Sequence, residues 1–231
     1  MNYLKQGLLV VLCLICLLVY GFFSKPFLET IRVSADQELR GRTIVIDAGH
    51  GGRDNGAQVD DVKEDVLNLS VAMELKKLIE QAGGTVILTR DDDYDLSSAD
   101  AKNHKKEDLE KRVQLMNQDH VDLFISVHMN KFGQAKVKGA QVFYQVEHPF
   151  SKQLAEEIQG QFQKQLESKK LPRLGNYYIL NESTTTGVLV ECGFMSNPDE
   201  LILLQTSSYQ TKLAYAIYKG ITTYLQSSLI L

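Results

Sequence analysis

Two histidines each close an apolar run, with an acidic helix start between them: Thr43-Ile44-Val45-Ile46-Asp47-Ala48-Gly49-His50, then Glu64, then Leu123-Phe124-Ile125-Ser126-Val127-His128. Imidazole nitrogens and a carboxylate oxygen are borderline ligands that suit Zn²⁺. Two His plus one Glu, with a fourth position left open, is the makeup of a catalytic zinc site rather than a structural one. A third apolar run, Val188-Leu189-Val190, ends in another acid, Glu191. The chemistry such a set supports is zinc-dependent hydrolysis.

The elements that must carry these residues are legible from hydrophobic periodicity. Short runs rich in Val, Ile and Phe predict strands over Thr43 to Asp47, Thr85 to Thr89, Val121 to Val127, Ala140 to Val146 and Val188 to Glu191. A helix is predicted over Glu64 to Gln81, with Asp60 and Asp61 as caps and apolar stripes at Val66, Leu69 and Met73 and at Leu75, Leu78 and Ile79. The ridge Phe150, Leu154, Ile158, Phe162 and Leu166 predicts a second helix, and Asn197-Pro198-Asp199-Glu200 opens a third that runs towards Leu225. This alternation argues for one α/β domain, a sheet covered by helices on both faces. His50, His128 and Glu191 then fall at carboxyl ends of strands, where open α/β sheets gather their ligand sites.

Composition narrows the setting. With 231 residues, 44% of them hydrophobic, and a formal charge of −4, the chain fits one domain and lacks the basic footprint that nucleic acid requires. Gly7 to Phe23 is an unbroken apolar or small run of 17 residues between Lys5 and Lys25, marginally long enough to cross a bilayer. It also has the makeup of a signal-peptide core, yet the small residues Val33-Ser34-Ala35 lie far beyond its end. The expectation is therefore an amino-terminal membrane-anchor helix over residues 1–24, a polar linker over 25–41 and an exported catalytic domain over 42–231. Cleavage would instead release the domain. Cys13 and Cys16 lie inside the apolar run, so Cys192 alone remains in the soluble part and no internal bridge can form there.

Taken singly, these signals are weak: a strand-end His is usually a hydrogen-bonded structural residue, and a Glu at a helix start usually complements the dipole. Nucleotide binding is excluded, because Gly49-His50-Gly51-Gly52-Arg53-Asp54 lacks the third glycine of a dinucleotide loop and no Gly-Lys-Ser/Thr follows.

The joint pattern says more. Ile46 through Ala57, Glu64 with Asn68 and Leu69, Thr89-Arg90, Ile125 through Asn130, and Leu189-Val190-Glu191-Cys192-Gly193-Phe194-Met195-Ser196-Asn197 together resemble the zinc-dependent N-acetylmuramoyl-L-alanine amidases, from about Arg42 to Leu225. The resemblance implies a twisted mixed sheet of about six strands flanked by helices, and cleavage of the amide between N-acetylmuramic acid and L-alanine in peptidoglycan. It implies that His50, Glu64 and His128 hold Zn²⁺ and that Glu191 is the catalytic carboxylate. The chemistry asks for the same roles: an unactivated amide needs a nucleophile at neutral pH, which zinc provides by acidifying a bound water to a pKa of roughly 7. A metal-free carboxylate can take the water proton and deliver it to the departing amine.

Within that family, a short catalytic domain behind one anchor, without wall-binding repeats, resembles the sporulation enzymes that strip peptides from spore cortex so that muramic-δ-lactam can form. A vegetative cell-wall amidase would look much the same, and a zinc carboxypeptidase acting on stem peptides is the rival chemistry. The expected partners are peptidoglycan, the membrane through the amino-terminal segment, and an unidentified accessory regulator. The stretch Asp91 to Asp108 reads as a charged surface loop longer than is usual in the family.

Neighbouring residues have secondary claims. Asp47 is a candidate to orient His50. Arg90 and Arg112 either bind a stem-peptide carboxylate or tie strand ends to acids such as Asp91 and Asp93. Asn130 and Asn197 are expected to hold turns, His104, His120 and His148 to be solvated, and Cys192 to face the core.

Overall fold

The structure, a computed structural model, describes residues 37–146 and 148–228. The apolar run from Gly7 to Phe23, with Cys13 and Cys16, lies outside the described residues. Among the described residues, no helix is long and apolar enough to cross a membrane.

Six strands form the main sheet: β1 (Thr43–Ala48), β4 (Thr85–Leu88), β5 (Leu123–Asn130), β6 (Gln141–Tyr144), β7 (Arg173–Leu174) and β8 (Gly187–Phe194). A small antiparallel hairpin forms from β2 (Gln58–Val59) and β3 (Val62–Lys63). The sheet order is β4-β1-β5-β8-β6-β7. β4, β1, β5 and β8 are parallel, and β6 runs antiparallel to β8. The sheet is therefore mixed, as expected. β7 is absent from the sequence reading, because a two-residue strand carries no alternation to read.

The helices are α1 (Glu64–Gln81), α2 (His104–Met116), α3 (Pro149–Leu166), α4 (Tyr178–Glu182), α5 (Pro198–Leu204) and α6 (Ser207–Ser228). α1, α3 and α6 pack together over one face of the sheet, and α2 and α4 cover the other. α1 has the predicted bounds but not the predicted caps. Asp60 and Asp61 sit in the β2–β3 turn, and the N-cap position is held by Lys63, which makes no side-chain cap. The inner stripe of α1 runs through Leu67, Val71, Leu75 and Ile79, while Val66 is exposed. α2 replaces the end of the supposed charged loop. Its apolar residues Leu109, Val113 and Met116 are few, and charged side chains mask their spacing. The predicted third helix is two, broken at Gln205-Thr206.

Alternation along the strands decides which residues share a face. Val45, Phe124 and Leu189 meet Val113, Met116, Ile179 and Leu180 in the core under α2 and α4. By the same period of two, Asp47, Ser126, His128 and Glu191 lie on that face, and Cys192 points into the opposite core. The chain enters the domain before Arg42: Leu39 is fully buried and its N–H donates to the Ala82 carbonyl at 3.0 Å. Gly187, at the head of β8, gives the Phe124 ring its place, since a Cβ there would overlap it. Gly187→Ala is expected to lower stability by about 2 kcal/mol through overpacking, read as a lower denaturation midpoint with unchanged slope.

Candidate active site

β1 is followed by a helix on one face and β4 on one side, then by α2 on the other face and β5 on the other side. The strand order reverses between β1 and β5, and a crevice opens there at their carboxyl ends. His50 leaves the end of β1 in the left-handed region (φ 61°), followed by Gly51 at 118° and Gly52 at 60°. A left-handed backbone costs a residue with a Cβ about 1 kcal/mol, so something must hold this turn. Arg112 Nη2 donates to the His50 carbonyl at 2.7 Å and Nη1 to the Ala48 carbonyl at 2.8 Å. Arg90 Nη2 donates to the Gly49 carbonyl at 3.0 Å and Nε to that of Ala48 at 2.9 Å. Both arginines are buried. Their role is therefore structural, and neither presents its head to a peptide carboxylate. Arg90 bonds carbonyls rather than Asp91 or Asp93, and Arg112 pairs with Asp47 at 2.7 Å and Asp108 at 2.8 Å.

His50, Glu64 and His128 converge, each offering one ligand atom, with these atoms all within 4.8 Å of one another. Glu64 Oε1 lies 3.0 Å from His128 Nδ1 and 3.3 Å from His50 Nε2. The imidazole rings meet edge to face at 4.9 Å between centroids. A register shift between His128 and Asn130 takes Met129 out of the β5–β8 ladder, and its N–H donates instead to Glu64 Oε1 at 3.1 Å. Bulges beside active sites commonly re-aim groups in this way. Ala57 N–H holds the other carboxylate oxygen at 2.7 Å. Burial alone would raise the Glu64 carboxyl, but hydrogen bonds from His128 and His50 overcome it and hold it far below its usual range. Burial likewise works against a charged His50, yet Glu64 and Asp54 outweigh it and raise its pKa. Two imidazoles and an anionic carboxylate, already gathered at one point, form a donor set that fits a zinc-like cation.

Asp47 does not orient His50. Its carboxylate is taken by Arg112, Thr89 and Ser126 at 2.7, 2.8 and 2.6 Å. The residue that does so is Asp54, whose Oδ2 lies 3.1 Å from His50 Nδ1 and so leaves Nε2 facing Glu64. The Gly51–Asp54 turn folds back on itself, which brings a carboxylate four residues on into reach. Two glycines make room: a Cβ on Gly49 would collide with the His128 ring, and one on Gly56 would lie 2.6 Å from both Glu64 Oε2 and His50 Cδ2.

Glu191 stands beside His128 in the β5–β8 register and is 7% exposed. Among the described residues its Oε2 has no hydrogen-bond partner, while Tyr177 donates to Oε1 across a long 3.5 Å. Burial pushes the Glu191 carboxyl up to about 7, with the Glu64 charge adding to the effect and the histidines opposing it. Sequence reasoning misses Tyr177, since a tyrosine just before a five-residue helix gives no signal. It and Ile179 wall a cavity of about 180 Å³ that also touches His50 and His128.

The remaining candidates sort as follows. Cys192 is buried, and burial pushes its thiol up, as expected of an inert core cysteine. Asn197 caps α5 by accepting from Glu200 N–H at 3.0 Å, and Asn130 gives its carbonyl to Met195. His148 caps α3 rather than being simply solvated, and His104 is bonded to Arg53 and Ser97; His120 is exposed.

Fold and site together define an α/β enzyme with a metal-type donor set and a free acid at one end of its sheet. The chain belongs to the N-acetylmuramoyl-L-alanine amidase family, which matches residues 44–223. It is 38% identical over 191 residues to the germination-specific N-acetylmuramoyl-L-alanine amidase of Bacillus subtilis (strain 168), covering 80% of this chain and 81% of that one. Among solved structures it is similar to the CwlD amidase from Clostridioides difficile in complex with the GerS lipoprotein, with a TM-score of 0.78, 37% identity, and 80% and 99% of the two chains covered. It is also similar to the catalytic domain of CwlV, an N-acetylmuramoyl-L-alanine amidase from Bacillus (Paenibacillus) polymyxa var. colistinus, with a TM-score of 0.71, 31% identity, and 80% and 98% covered.

Carboxylates that orient metal-binding histidines set affinity as well as geometry. Asp54→Asn is expected to weaken Zn²⁺ binding by about 10- to 100-fold with the fold intact, measured by competition against a chromophoric chelator.

Proposed function

We propose that His50, Glu64 and His128 hold Zn²⁺ and that Glu191 is the proton carrier in hydrolysis of the N-acetylmuramoyl-L-alanine amide. The observation that carries this reading is the contrast between two neighbouring carboxylates. Glu64 is saturated with donors and stays ionised, whereas Glu191 keeps one buried oxygen unpartnered and is pushed up to about 7. Environments that drive two acids apart assign them different roles.

A zinc ion held by His50, Glu64 and His128 would supply Lewis acidity there, the chemistry that lets water act as a nucleophile at neutral pH. Glu191 Oε2, beside the triad, accepts the proton of the attacking water. With a pKa near neutrality, the same carboxyl then gives that proton to the departing L-alanine nitrogen. Tyr177 holds Oε1 and leaves Oε2 to the reaction. Asp54 keeps the His50 ring turned, and the left-handed turn keeps it at the mouth of the crevice.

The relatives and the amino-terminal sequence support a setting for this reaction. The germination-specific relative, matched over 81% of its length, supports action on spore cortex, where peptide removal precedes muramic-δ-lactam formation. The Gly7 to Phe23 run supports an anchor on the extracytoplasmic side of a membrane, followed by a linker and the catalytic domain. The CwlD amidase is in complex with a lipoprotein, and a lipoprotein partner at the membrane fits this chain equally.

Digestion of purified peptidoglycan with and without chelator, followed by product mass analysis, tests the reaction. The expected result is a new L-alanine amino terminus, lost with chelator and restored by Zn²⁺. Loss of a terminal D-alanine instead would identify a carboxypeptidase. Glu191→Gln is expected to keep its zinc by metal analysis and lose about 10²- to 10⁴-fold in kcat.

Glu191 also makes a stability prediction. Its carboxyl titrates near 7 in the folded chain rather than at the ordinary 4.5. Ionising it therefore opposes folding by nothing below pH 4.5 and by an amount that grows until pH 7, on the order of 3 kcal/mol. Without metal, Glu191→Gln is expected to melt above the parent protein at pH 8 and together with it at pH 4.

A further inference from the structure

The charged stretch after β4, for which the mechanism above has no use, is bolted to the turn that follows His50. Asp93 accepts Gly52 N–H at 2.7 Å and Asp95 accepts Arg53 N–H at 3.3 Å. Arg53 Nη1 donates to Ser97 Oγ at 3.0 Å, lies 2.9 Å from His104 Nδ1, and has both Asp95 oxygens at 3.4 Å. Ser97 in turn bonds Asp95 and His104. These bonds wall a hollow of about 350 Å³ with Arg53, Asp54, Asp95, His104, Lys105 and Asp108. It adjoins the cavity beside His50 and His128, and the two share Asp54, Lys105 and Asp108.

Within this hollow each of two cations faces one acid at 3.4 Å, Arg53 opposite Asp95 and Lys105 opposite Asp54, while the third acid, Asp108, is taken by Arg112 at 2.8 Å, and both cations keep donors to spare. Among the described residues, every side-chain bond of Arg53 runs through Nη1, so Nε and Nη2 have no partner, and the side chain is 52% exposed. Lys105 is 71% exposed and meets one acid, Asp54, at 3.4 Å. A guanidinium tied at one nitrogen offers its remaining edge as a planar fork with its rotamer already fixed, the arrangement that matches a carboxylate in bidentate fashion. The ring in the lining, the His104 imidazole, has its Nδ1 taken up by Arg53 and Ser97.

Resting on the reading that the cavity beside the triad takes the scissile amide, we propose that this adjoining hollow is a stem-peptide subsite in which Arg53 and Lys105 receive a peptide carboxylate. The peptide then runs along the first turns of α2, which carry His104, Lys105 and Asp108. The charged segment acquires a purpose as the outer wall of that subsite.

The test uses the full-length zinc-loaded protein and two synthetic muramoyl peptides that differ only in whether the stem carboxylates are free or amidated. Wild type is expected to favour the free acid by about tenfold in kcat/KM, the size of one charge-assisted contact. Arg53→Ala and Lys105→Ala are each expected to lose most of that preference through KM, with the amidated peptide turned over as by wild type. Lys105 bonds only at the surface, so its variant decides the matter if Arg53→Ala loosens the loop and melts early. Equal losses on both peptides, or no loss on either, overturn the subsite. A wild type that cleaves neither peptide overturns the proposed reaction and the subsite with it.

Discussion

Arg112 and Arg90 bring two guanidinium groups against the buried carboxyl end of β1, each 2% exposed or less, and direct their N–H groups at the carbonyls of residues 48, 49 and 50. Charges so placed are tolerated only when matched, and Asp47 and Asp108 match Arg112. Burial alone would neutralise Asp47, but Arg112 and Ser126 keep its pKa low. What this assembly secures is a backbone shape that residues 49–52 would not adopt unaided, with His50 in a left-handed conformation between glycines. The donor set, the Asp54 contact and the anchoring of Arg53 all begin from that turn.

Much of this is legible in the sequence, and the reasons are physical. Strand ends are marked where apolar alternation stops, so the pattern alone assigns His50, His128 and Glu191 to one edge of a sheet. Glu64 opens a helix whose length the periodicity gives, although the buried stripe runs through Leu67 and Val71 rather than Val66, Leu69 and Met73, and the structure puts Glu64 between the two histidines. The residues that pattern misassigns are those whose partners lie far along the chain. Asp47 pairs with Arg112, 65 positions away, and nothing local distinguishes that bond from a role beside His50. Asp54 is close in sequence, yet its reach to His50 depends on a turn conformation that composition does not report. α2 is hidden because its few apolar residues face a small core under a heavily charged outer surface.

Cavity, acid and thiol also illustrate how a sheet separates duties. On β8, Leu189 and Glu191 share the face with Tyr177 and the triad, while Val190 and Cys192 belong to the core beneath α1, α3 and α6. Chemistry and cohesion are thus interleaved residue by residue along one strand. The acid can be kept in a dry, unpartnered environment because its own strand is paired on both sides, with β5 and with β6.

That interleaving has a consequence for how the chain must assemble. A slip of one residue in β8 would present a thiol to the cleft and bury an acid in oil, producing a well-formed but barren molecule. β8 is read against β5 on one side and β6 on the other, in opposite directions, so an error that satisfied one neighbour would mismatch the other. The antiparallel strand, whose Gln141 sits opposite Glu191 without a part in the chemistry, thereby serves as a proofreader of alignment.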